Sequence, residues 1–254
     1  MKRLTETQVT QYRTQGYLVV ENVVPPDQVE ALKRRTEDIA EGRVPFPEAN
    51  LELEPTANGR RCVETIRKLD HCAENDPVFL RHARNDAILD MVEDLIGPDV
   101  KLFESQLFMK PPGGVEKPYH QDSAYFFIEP MALVTCWSAL DDVTVANGSM
   151  WVIPGSHLGG VVDHGEPWQI GDRVDKQVPA SAMDLASEAP VVMPAGSCSF
   201  HHSLLLHSSR PNRTNHSRRG FAVHYMTARS RWTNPSLPMP SYRLLRGREY
   251  PGCV

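Results

Sequence analysis

The sequence predicts a mainly β fold, built as an antiparallel double-sheet barrel with helices packed on one side. Two observations support this prediction. The first third of the 254-residue chain has helical periodicity, whereas short β-rich runs separated by turn residues follow one another from Val100 onward. No helical pattern of comparable strength interrupts those runs, although a parallel sheet of βαβ units needs a helix between its strands. An antiparallel arrangement therefore fits better.

The N-terminal third should contain helices and one early strand. Thr5 is a suitable N-cap for the first helix, and Gly16 lies just past its end. A run of β-branched and aromatic residues then predicts the strand, which Pro25 and Pro26 end. We predict helices over residues 5–14, 27–40 and 77–96, the strand over residues 17–24, and a long surface loop over residues 41–60.

Short β-rich runs dominate the rest of the chain. Turn pairs such as Asn147-Gly148 and Pro154-Gly155 separate these runs. We predict strands over residues 101–109, 133–140, 150–153, 191–193, 197–200, 204–208 and 219–227. We expect one domain over residues 1–254, with a helical N-terminal support (about 1–98), a barrel core (99–230) and a C-terminal tail (231–254).

The composition is that of an ordinary globular protein, with 41% hydrophobic and 23% charged residues. A formal net charge of −5 argues against a nucleic-acid binder with a broad basic surface. No apolar run approaches the roughly 18 residues that span a bilayer. The five cysteines are odd in number and form no C-x-x-C pair, which indicates free thiols in a reducing compartment. We therefore expect a cytoplasmic protein with no nucleic-acid or membrane partner, and its oligomeric state stays open.

A candidate metal site combines an H-x-D sequence with a distant histidine. On a strand, His120 and Asp122 would point to the same face, and His207, at the end of an apolar strand, is the best third ligand. Two histidines and one carboxylate on one face of an octahedron leave three positions open, as an iron(II) oxygenase requires. The alternative is that the tripeptide is accidental and His207 is a hydrogen-bonded core residue.

An arginine eleven residues after His207 strengthens the oxygenase interpretation. The cosubstrate 2-oxoglutarate needs a cation for its 5-carboxylate, and arginine binds a carboxylate bidentately. Arg218 shares a strand face with small residues, whereas Arg219 shares the other face with bulky ones. The face with small residues leaves room for a ligand, so the strand pattern favours Arg218 over Arg219.

These features together resemble the phytanoyl-CoA dioxygenase family. The similarity runs in order through most of residues 5–230, and its strength comes from the order and spacing of the motifs. The stretches that carry it are Gly16-Tyr17-Leu18-Val19-Val20, residues 106–114, Tyr119-His120-Gln121-Asp122, Trp137, Asn147-Gly148-Ser149, Pro154-Gly155-Ser156-His157, residues 200–209 and Arg218.

The resemblance implies a double-stranded β-helix (jelly-roll, cupin-like) core with flanking helices. It implies iron(II) held by His120, Asp122 and His207, and 2-oxoglutarate anchored by Arg218 and Ser209. It further implies that a small molecule is hydroxylated with O₂, releasing succinate and CO₂. By family position the cosubstrate pocket should also include Trp137, Gln106 and Lys68. The alternative for Trp137 is a core residue, and for Lys68 a solvated surface lysine.

Two questions stay open at this stage. A non-catalytic cupin-like protein that binds a metal or a metabolite could use the same three ligands, but it would not need a dicarboxylate anchor at Arg218 and Ser209. The substrate is a small molecule, and an anionic one is a hypothesis based on nearby cations. Those cations are Arg60, Arg61, Arg67, Lys68, Lys110 and Lys117. The alternative is that they are solvated charges balanced by Glu64, Asp70 and Glu116.

Overall fold

The structure, a computed structural model, describes residues 1–55, 57–165, 167–171 and 173–254. Its α-helices are α1 (Glu6–Gln15), α2 (Pro26–Ala40), α3 (Cys72–Asn75), α4 (Pro77–Ala83) and α5 (Asp86–Ile96). A capping box fixes the start of α1, because the Thr5 hydroxyl accepts from the Gln8 N–H and the Gln8 side chain accepts from the Thr5 N–H. None of the helices in these ranges combines the length and apolarity that a bilayer-spanning helix needs.

The strands pair antiparallel throughout the described residues. They are β1 (Tyr17–Val20), β2 (Leu51–Leu53), β3 (Ile66–Asp70), β4 (Val100–Lys110), β5 (Lys117–His120), β6 (Ile128–Glu129), β7 (Leu133–Ala139), β8 (Met150–Val152), β9 (Trp168–Ile170), β10 (Arg173–Asp175), β11 (Ala189–Val191), β12 (Cys198–His202), β13 (His207–Ser209), β14 (Arg218–Thr227), β15 (Arg231–Trp232) and β16 (Arg243–Arg246). The major sheet has the order β1-β12-β7-β14-β4-β3-β2, with β16 also on β4, and the minor sheet has the order β11-β8-β13-β5. The predicted antiparallel double-sheet architecture is confirmed.

The two faces of the major sheet differ in chemistry. On β14, Phe221, Val223 and Tyr225 are buried in the main hydrophobic core, which also contains the apolar faces of α2 and α5. The alternate residues, including Ala222 and His224, line a cavity on the opposite face of the sheet. Strand alternation thus separates a helix-covered core from a polar interior.

The predicted helix over residues 77–96 is two helices. α4 ends at Ala83, and α5 begins at Asp86 after Asn85, whose side chain accepts from the N–H groups of Ala87 and Ile88. Asparagine caps a helix better than it continues one, because its side chain competes for backbone N–H groups. Because the apolar stripe runs through both helices, the hydrophobic pattern of the sequence does not indicate the break between them.

Several strand predictions need correction. The early strand ends at Val20, and the predicted loop over residues 41–60 contains β2 and a 3-10 helix, Glu48–Asn50. The apolar run at residues 204–206 is a turn, closed by the Leu205 N–H on the His202 carbonyl at 2.9 Å, so β13 starts at His207 and does not end there. Both flanking segments also add strands to the major sheet, β1 to β3 from residues 1–98 and β16 from residues 231–254.

Candidate metal centre and cosubstrate site

His120, Asp122 and His207 meet at the end of β5 and the start of β13. These strands are neighbours, and His120 pairs in register with His207. The Nε2 atoms of His120 and His207 lie 3.7 and 3.6 Å from Asp122 Oδ1. The candidate ligand atoms all lie within 4.8 Å of one another, so one ion placed between them can contact all three. This donor set, two imidazoles and a carboxylate, fits non-haem iron(II).

Asp122 reaches this point by a route that differs from the predicted one. β5 ends at His120, and Asp122 begins a 3-10 helix, Asp122–Tyr125. The Ser123 N–H donates to the Ser203 carbonyl at 3.0 Å, which fixes the start of this turn against the segment before β13. The turn, and not the alternation of a strand, directs the carboxylate toward His120.

Both histidines present Nε2 to the centre because a backbone carbonyl holds Nδ1. His120 Nδ1 lies 2.9 Å from the Pro118 carbonyl, and His207 Nδ1 lies 2.9 Å from the Leu205 carbonyl. A carbonyl only accepts, so Nδ1 carries the hydrogen and Nε2 keeps a free lone pair. Burial lowers the pKa of His120 well below its usual value and that of His207 to about 4. Both side chains are therefore neutral, the form that binds a metal.

The second carboxylate oxygen of Asp122 has polar neighbours of its own. The Thr135 hydroxyl donates to Oδ2 at 3.1 Å, and His201 Nε2 lies 3.4 Å from the same atom. Thr135 Oγ1 also lies 2.8 Å from His224 Nδ1, which must be the donor because the hydroxyl has one hydrogen. Burial alone would raise the pKa of Asp122, but His207 and the other two histidines lower it well below its ordinary value. The carboxylate is thus held ionised, with Oδ1 turned to the metal ligands.

The centre opens into a cavity of about 1280 Å³ between the two sheets. Metal ligands line one part of its wall. All the residues predicted to bind the cosubstrate also line it, namely Arg218, Ser209, Trp137, Gln106 and Lys68. The structure therefore brings every predicted site residue to a single cavity.

Arg218 is buried in the cavity wall with part of its guanidinium unused. Its Nη2 donates to the Gly148 carbonyl at 2.6 Å, while its Nε has no partner among the described residues. Burial lowers its pKa to about 10, and the group stays charged at neutral pH. Arg219 lies on the other face, where Nε and Nη2 donate to the Asp141 carboxylate at 2.8 and 2.9 Å. Of the two arginines, Arg218 is the one free to receive a carboxylate.

Lys110 is a buried cation that the sequence analysis did not assign to the cosubstrate site. It pairs in register with Arg218 across β4 and β14. Its Nζ donates to Ser209 Oγ at 2.7 Å and to the Arg210 carbonyl at 2.6 Å. Burial and the charge of Arg218 lower its pKa well below the ordinary value. Within the described residues neither Lys110 nor Arg218 has a carboxylate at ion-pair distance, although the charge of Glu54 favours protonated Lys110, so the two form a cationic pair beside Ser209 with no direct ion-pair partner.

Trp137 covers Gly220 and lines the cavity next to Arg218. A Cβ atom at position 220 would lie 1.7 Å from Trp137 Cζ2, so only glycine leaves room for the ring. The Arg218 guanidinium carbon lies 5.2 Å from the centre of the Trp137 ring, within the range of a cation–π contact. The indole thus fixes the path of the arginine.

Gln106 and Lys68 line the cavity, but their polar groups are engaged by other side chains. The Gln106 amide donates to Asp70 Oδ1 at 2.8 Å and to Glu104 Oε1 at 3.3 Å. Lys68 Nζ lies 2.9 Å from a Glu52 oxygen and 3.0 Å from Asp70 Oδ1. These contacts lie along β2, β3 and β4, and none of them involves Ser209.

The sequence did not indicate Thr135, His201 or His224 as site residues, and it indicated Lys110 only as a cation for an anionic substrate and not for the cosubstrate. These four residues lie on β7, β12, β14 and β4. Each is an even number of residues from another cavity-lining residue of its strand, so both side chains point to the same face of the sheet. That these residues share one cavity can be recognised only when the registers of four strands from distant parts of the chain are known.

Comparisons with known proteins agree with this geometry. Residues 12–220 match the family model described as phytanoyl-CoA dioxygenase. A probable phytanoyl-CoA dioxygenase of Caenorhabditis elegans is 30% identical over 233 residues, which cover 84% of this chain and 72% of that one. The solved structure of the apo non-heme monooxygenase ThoJ is 26% identical with a TM-score of 0.72, covering 97% of this chain and 86% of that one.

A further solved structure, EctD from S. alaskensis with bound Fe, has a TM-score of 0.78 and covers 98% of this chain and 88% of its own. At 22% identity this likeness bears on the fold alone, and it confirms the predicted double-stranded β-helix core. The family match, in contrast, extends through most of the sequence and includes all three candidate metal ligands. The chain belongs to the phytanoyl-CoA dioxygenase family.

Proposed function

We propose that this protein is an iron(II)- and 2-oxoglutarate-dependent dioxygenase that hydroxylates a small molecule, with iron held by His120, Asp122 and His207. The observation that carries the proposal is the pairing of this facial ligand set with the unpartnered Nε of Arg218 in one cavity. A buried N–H without an acceptor is unfavourable, and the carboxylate of a bound dicarboxylate would satisfy it.

The roles of the protein groups follow from their contacts. Arg218, Lys110 and Ser209 bind the 5-carboxylate of 2-oxoglutarate, and Trp137 closes the space around it. Thr135 and the carbonyls behind the two histidines orient the ligands. When bound, iron and 2-oxoglutarate together supply the oxidising chemistry, with succinate and CO₂ as products. The chain contributes binding, orientation and exclusion of water from the cavity.

Gln106 and Lys68 line the cavity, but the role that we propose for them differs from the predicted one. Their hydrogen bonds run to Asp70, Glu52 and Glu104 and not toward Ser209. We therefore propose that they shape the wall on the substrate side of the cavity. A purely metal-binding or metabolite-binding module would need neither this second region nor the cationic pair.

The anionic-substrate hypothesis depends on cations at the cavity mouth. Arg67 pairs with Glu52, and Lys117 Nζ lies 3.1 Å from Asp175 Oδ1. Because acids neutralise these cations, an anionic substrate stays a hypothesis, and the experiment in the next subsection tests it against the opposite charge. We further propose that the chain acts as one oxygenase domain, and that it works in the cytoplasm, where its free thiols stay reduced.

The test measures binding before turnover. Calorimetry under anaerobic conditions should detect 2-oxoglutarate binding to the iron-loaded protein, and Arg218→Ala should weaken it by a factor of roughly 30–1,000, the loss of a charge-assisted bidentate contact of about 2–4 kcal/mol. Arg219→Ala is the matched control, since Arg219 faces Asp141. An exchange of the two phenotypes would contradict the proposed anchor.

The metal ligands are tested in the same way. His120→Ala, Asp122→Ala and His207→Ala should each lose stoichiometric iron and 2-oxoglutarate-dependent succinate formation while keeping the wild-type fold by circular dichroism. His216→Ala, at an exposed loop histidine, should keep both. Full iron content and turnover in any of the three ligand variants would show that the ligand set is wrong.

A further inference from the structure

We propose that the end of the cavity around Phe103, Glu104 and Tyr242 is the substrate site, and that it takes a small molecule with an aromatic or apolar body and a protonated amine. The inference rests on the proposed function, because it names the class of compound that the oxygenase oxidises. It concerns a part of the cavity distinct from the cationic pair of Lys110 and Arg218.

A β-bulge in β4 brings two consecutive side chains to this end of the cavity. His224 of β14 pairs with Glu104, but the next residue, Tyr225, pairs with Leu102, so Phe103 is the extra residue of the bulge. Consecutive side chains on a regular strand point to opposite faces, and a bulge breaks that rule. Phe103 and Glu104 both line the cavity as a result.

Aromatic rings form a continuous wall from Glu104 toward the metal centre. Tyr242 stacks on Phe103, with ring centres 4.9 Å apart and planes 23° apart, and Phe103 contacts Phe126 at 4.4 Å. Phe126 meets the His224 ring edge-on at 5.4 Å. His224 Nδ1 lies 3.8 Å from Asp122 Oδ2. A molecule held against this wall therefore lies beside the metal ligands.

Glu104 has no ion-pair partner within the part of the chain that the structure describes. Its hydrogen bond comes from the Gln106 amide at 3.3 Å, a long contact. Burial raises the pKa of Glu104 to about 7 despite the nearby His71. A carboxylate in this position is stabilised by a cation that enters the cavity.

The other charges at this end are matched. Lys68 lies between Glu52 and Asp70, and His71 Nδ1 lies 3.5 Å from Glu74 Oε1. Among the described residues at this end, Glu104 is thus the carboxylate that has no ion-pair partner, although the charges of His71 and Lys68 act on it. The aromatic faces beside it also favour a cation, because their π-electrons attract positive charge.

The two ends of the cavity have opposite polarity. Lys110 lies six residues after Glu104 on β4, a separation of roughly 20 Å along a strand. The dianionic cosubstrate fits the cationic end, so its co-occupant meets a negative and aromatic end. A protonated amine is the complementary group there, since it forms a charge-assisted hydrogen bond with a carboxylate.

Part of this wall lies outside the family match. Tyr242 and its neighbours Trp232, Leu237 and Pro240 line the cavity, but the matched residues end at 220. The C-terminal segment is held in place by β16, whose Arg243 pairs with Leu102 of β4, next to the bulge. The substrate end thus combines Phe103, Glu104 and Phe126 from the matched residues with Tyr242 from the segment that follows them.

The experiment compares three probes of one shape and different charge. Dissociation constants of 2-phenylethylamine, 2-phenylethanol and 3-phenylpropanoate are measured on the full-length, iron- and 2-oxoglutarate-loaded protein without O₂. The amine should bind tightest, by roughly 10-fold or more over the alcohol. Glu104→Gln should remove this advantage, and Tyr242→Leu should weaken all three probes alike. Glu129→Gln, an exposed charge on β6 outside the cavity lining, should leave the order unchanged.

Equal binding of the three probes by the wild-type protein, or preference for 3-phenylpropanoate, would overturn the inference, the latter in favour of an anionic substrate. Undiminished amine preference in Glu104→Gln would also overturn it. The wild-type order needs no variant, so a poorly folded variant does not remove the test. The affinity for 2-oxoglutarate, measured in the same samples, separates the two proposals: its absence defeats the proposed function, whereas 2-oxoglutarate binding without amine preference defeats this inference alone.

Discussion

At the scale of single residues, the buried cations Arg218 and Lys110, which have no ion-pair partner among the described residues, identify the cosubstrate site more specifically than the metal ligands do. Arg218 could be selected from the sequence, because alternation along one strand separates it from Arg219. Lys110 could not be selected, because its contact with Ser209 joins residues 99 apart in the chain. A short sequence pattern contains no information on such a contact until the register of β4 and β14 is known.

Replacement of Lys110 should have opposite effects on 2-oxoglutarate binding and on the stability of the folded protein. Lys110→Met should weaken 2-oxoglutarate binding by roughly 10–100-fold, the loss of one charge-assisted hydrogen bond. The same variant should raise the melting temperature of the protein without cosubstrate, because a buried cation with no direct ion-pair partner among the described residues is replaced by an apolar group. Calorimetry and thermal unfolding measure the two effects.

Lys101→Met provides the matched control. Lys101 is also buried on β4, but it pairs with Glu249 at 3.3 Å and lies outside the cavity lining. This change should leave 2-oxoglutarate affinity as it is. Unaltered affinity in Lys110→Met would remove Lys110 from the cosubstrate site.

At the scale of elements, regular structure was predictable and irregular structure was not. The long β-rich runs and the capped helix α1 follow from residue patterns, and the structure has them with small shifts at their ends. The helix break at Asn85, the 3-10 turn at Asp122 and the bulge at Phe103 depend on contacts with other elements. Two of these irregular points place functional side chains, so the least predictable backbone lies at the site.

The packing of β7 against β14 gives a sharp prediction at this scale. Gly220→Ala should displace the Trp137 ring, since its new Cβ would lie 1.7 Å from Cζ2, and overpacking of this kind costs about 1–3 kcal/mol of unfolding free energy. Urea unfolding measures the loss, and the tryptophan emission of the folded protein should shift. Gly159→Ala, where nothing lies within 4 Å of a new Cβ, should change neither. A wild-type unfolding midpoint in Gly220→Ala would refute the packing argument.

At the scale of the whole molecule, the sequence predicted the class of fold but not how the sheet closes. The strands of the barrel core are visible in residues 99–230. The edges of the major sheet are completed by short strands from both flanking segments, and such strands have too few residues for a clear pattern. Their pairing depends on the exposed edges of the barrel, which exist only in the folded chain.

The stability of the whole protein should depend on the protonation of Glu104. The folded-state pKa is raised from 4.5 to about 7, so the folded protein loses stability as pH rises through this window. Below about pH 4.5 the carboxyl is neutral in both states, and the penalty vanishes. Glu104→Gln should therefore be more stable than wild type at pH 8, by up to about 3 kcal/mol, and equally stable at pH 4.

Urea unfolding of both proteins at the two pH values measures this difference. Titrating groups that do not interact with Glu104 act equally on the two proteins and cancel in the comparison, whereas His71, which does interact with it, contributes to the measured difference. A constant difference across the range would show that Glu104 ionises in the fold as it does in water.

The division of the cavity wall has a consequence for how such enzymes diversify. The metal ligands and the cationic pair lie within residues 12–220, whereas Trp232 and Tyr242 come from the segment that follows. Exchange of that segment between relatives can change which compound is oxidised while the oxidising apparatus is inherited intact. The part of substrate choice that depends on Trp232 and Tyr242 can thus change without any change in the metal ligands, whereas the part that depends on Phe103 and Glu104 lies in the same stretch of the chain as those ligands.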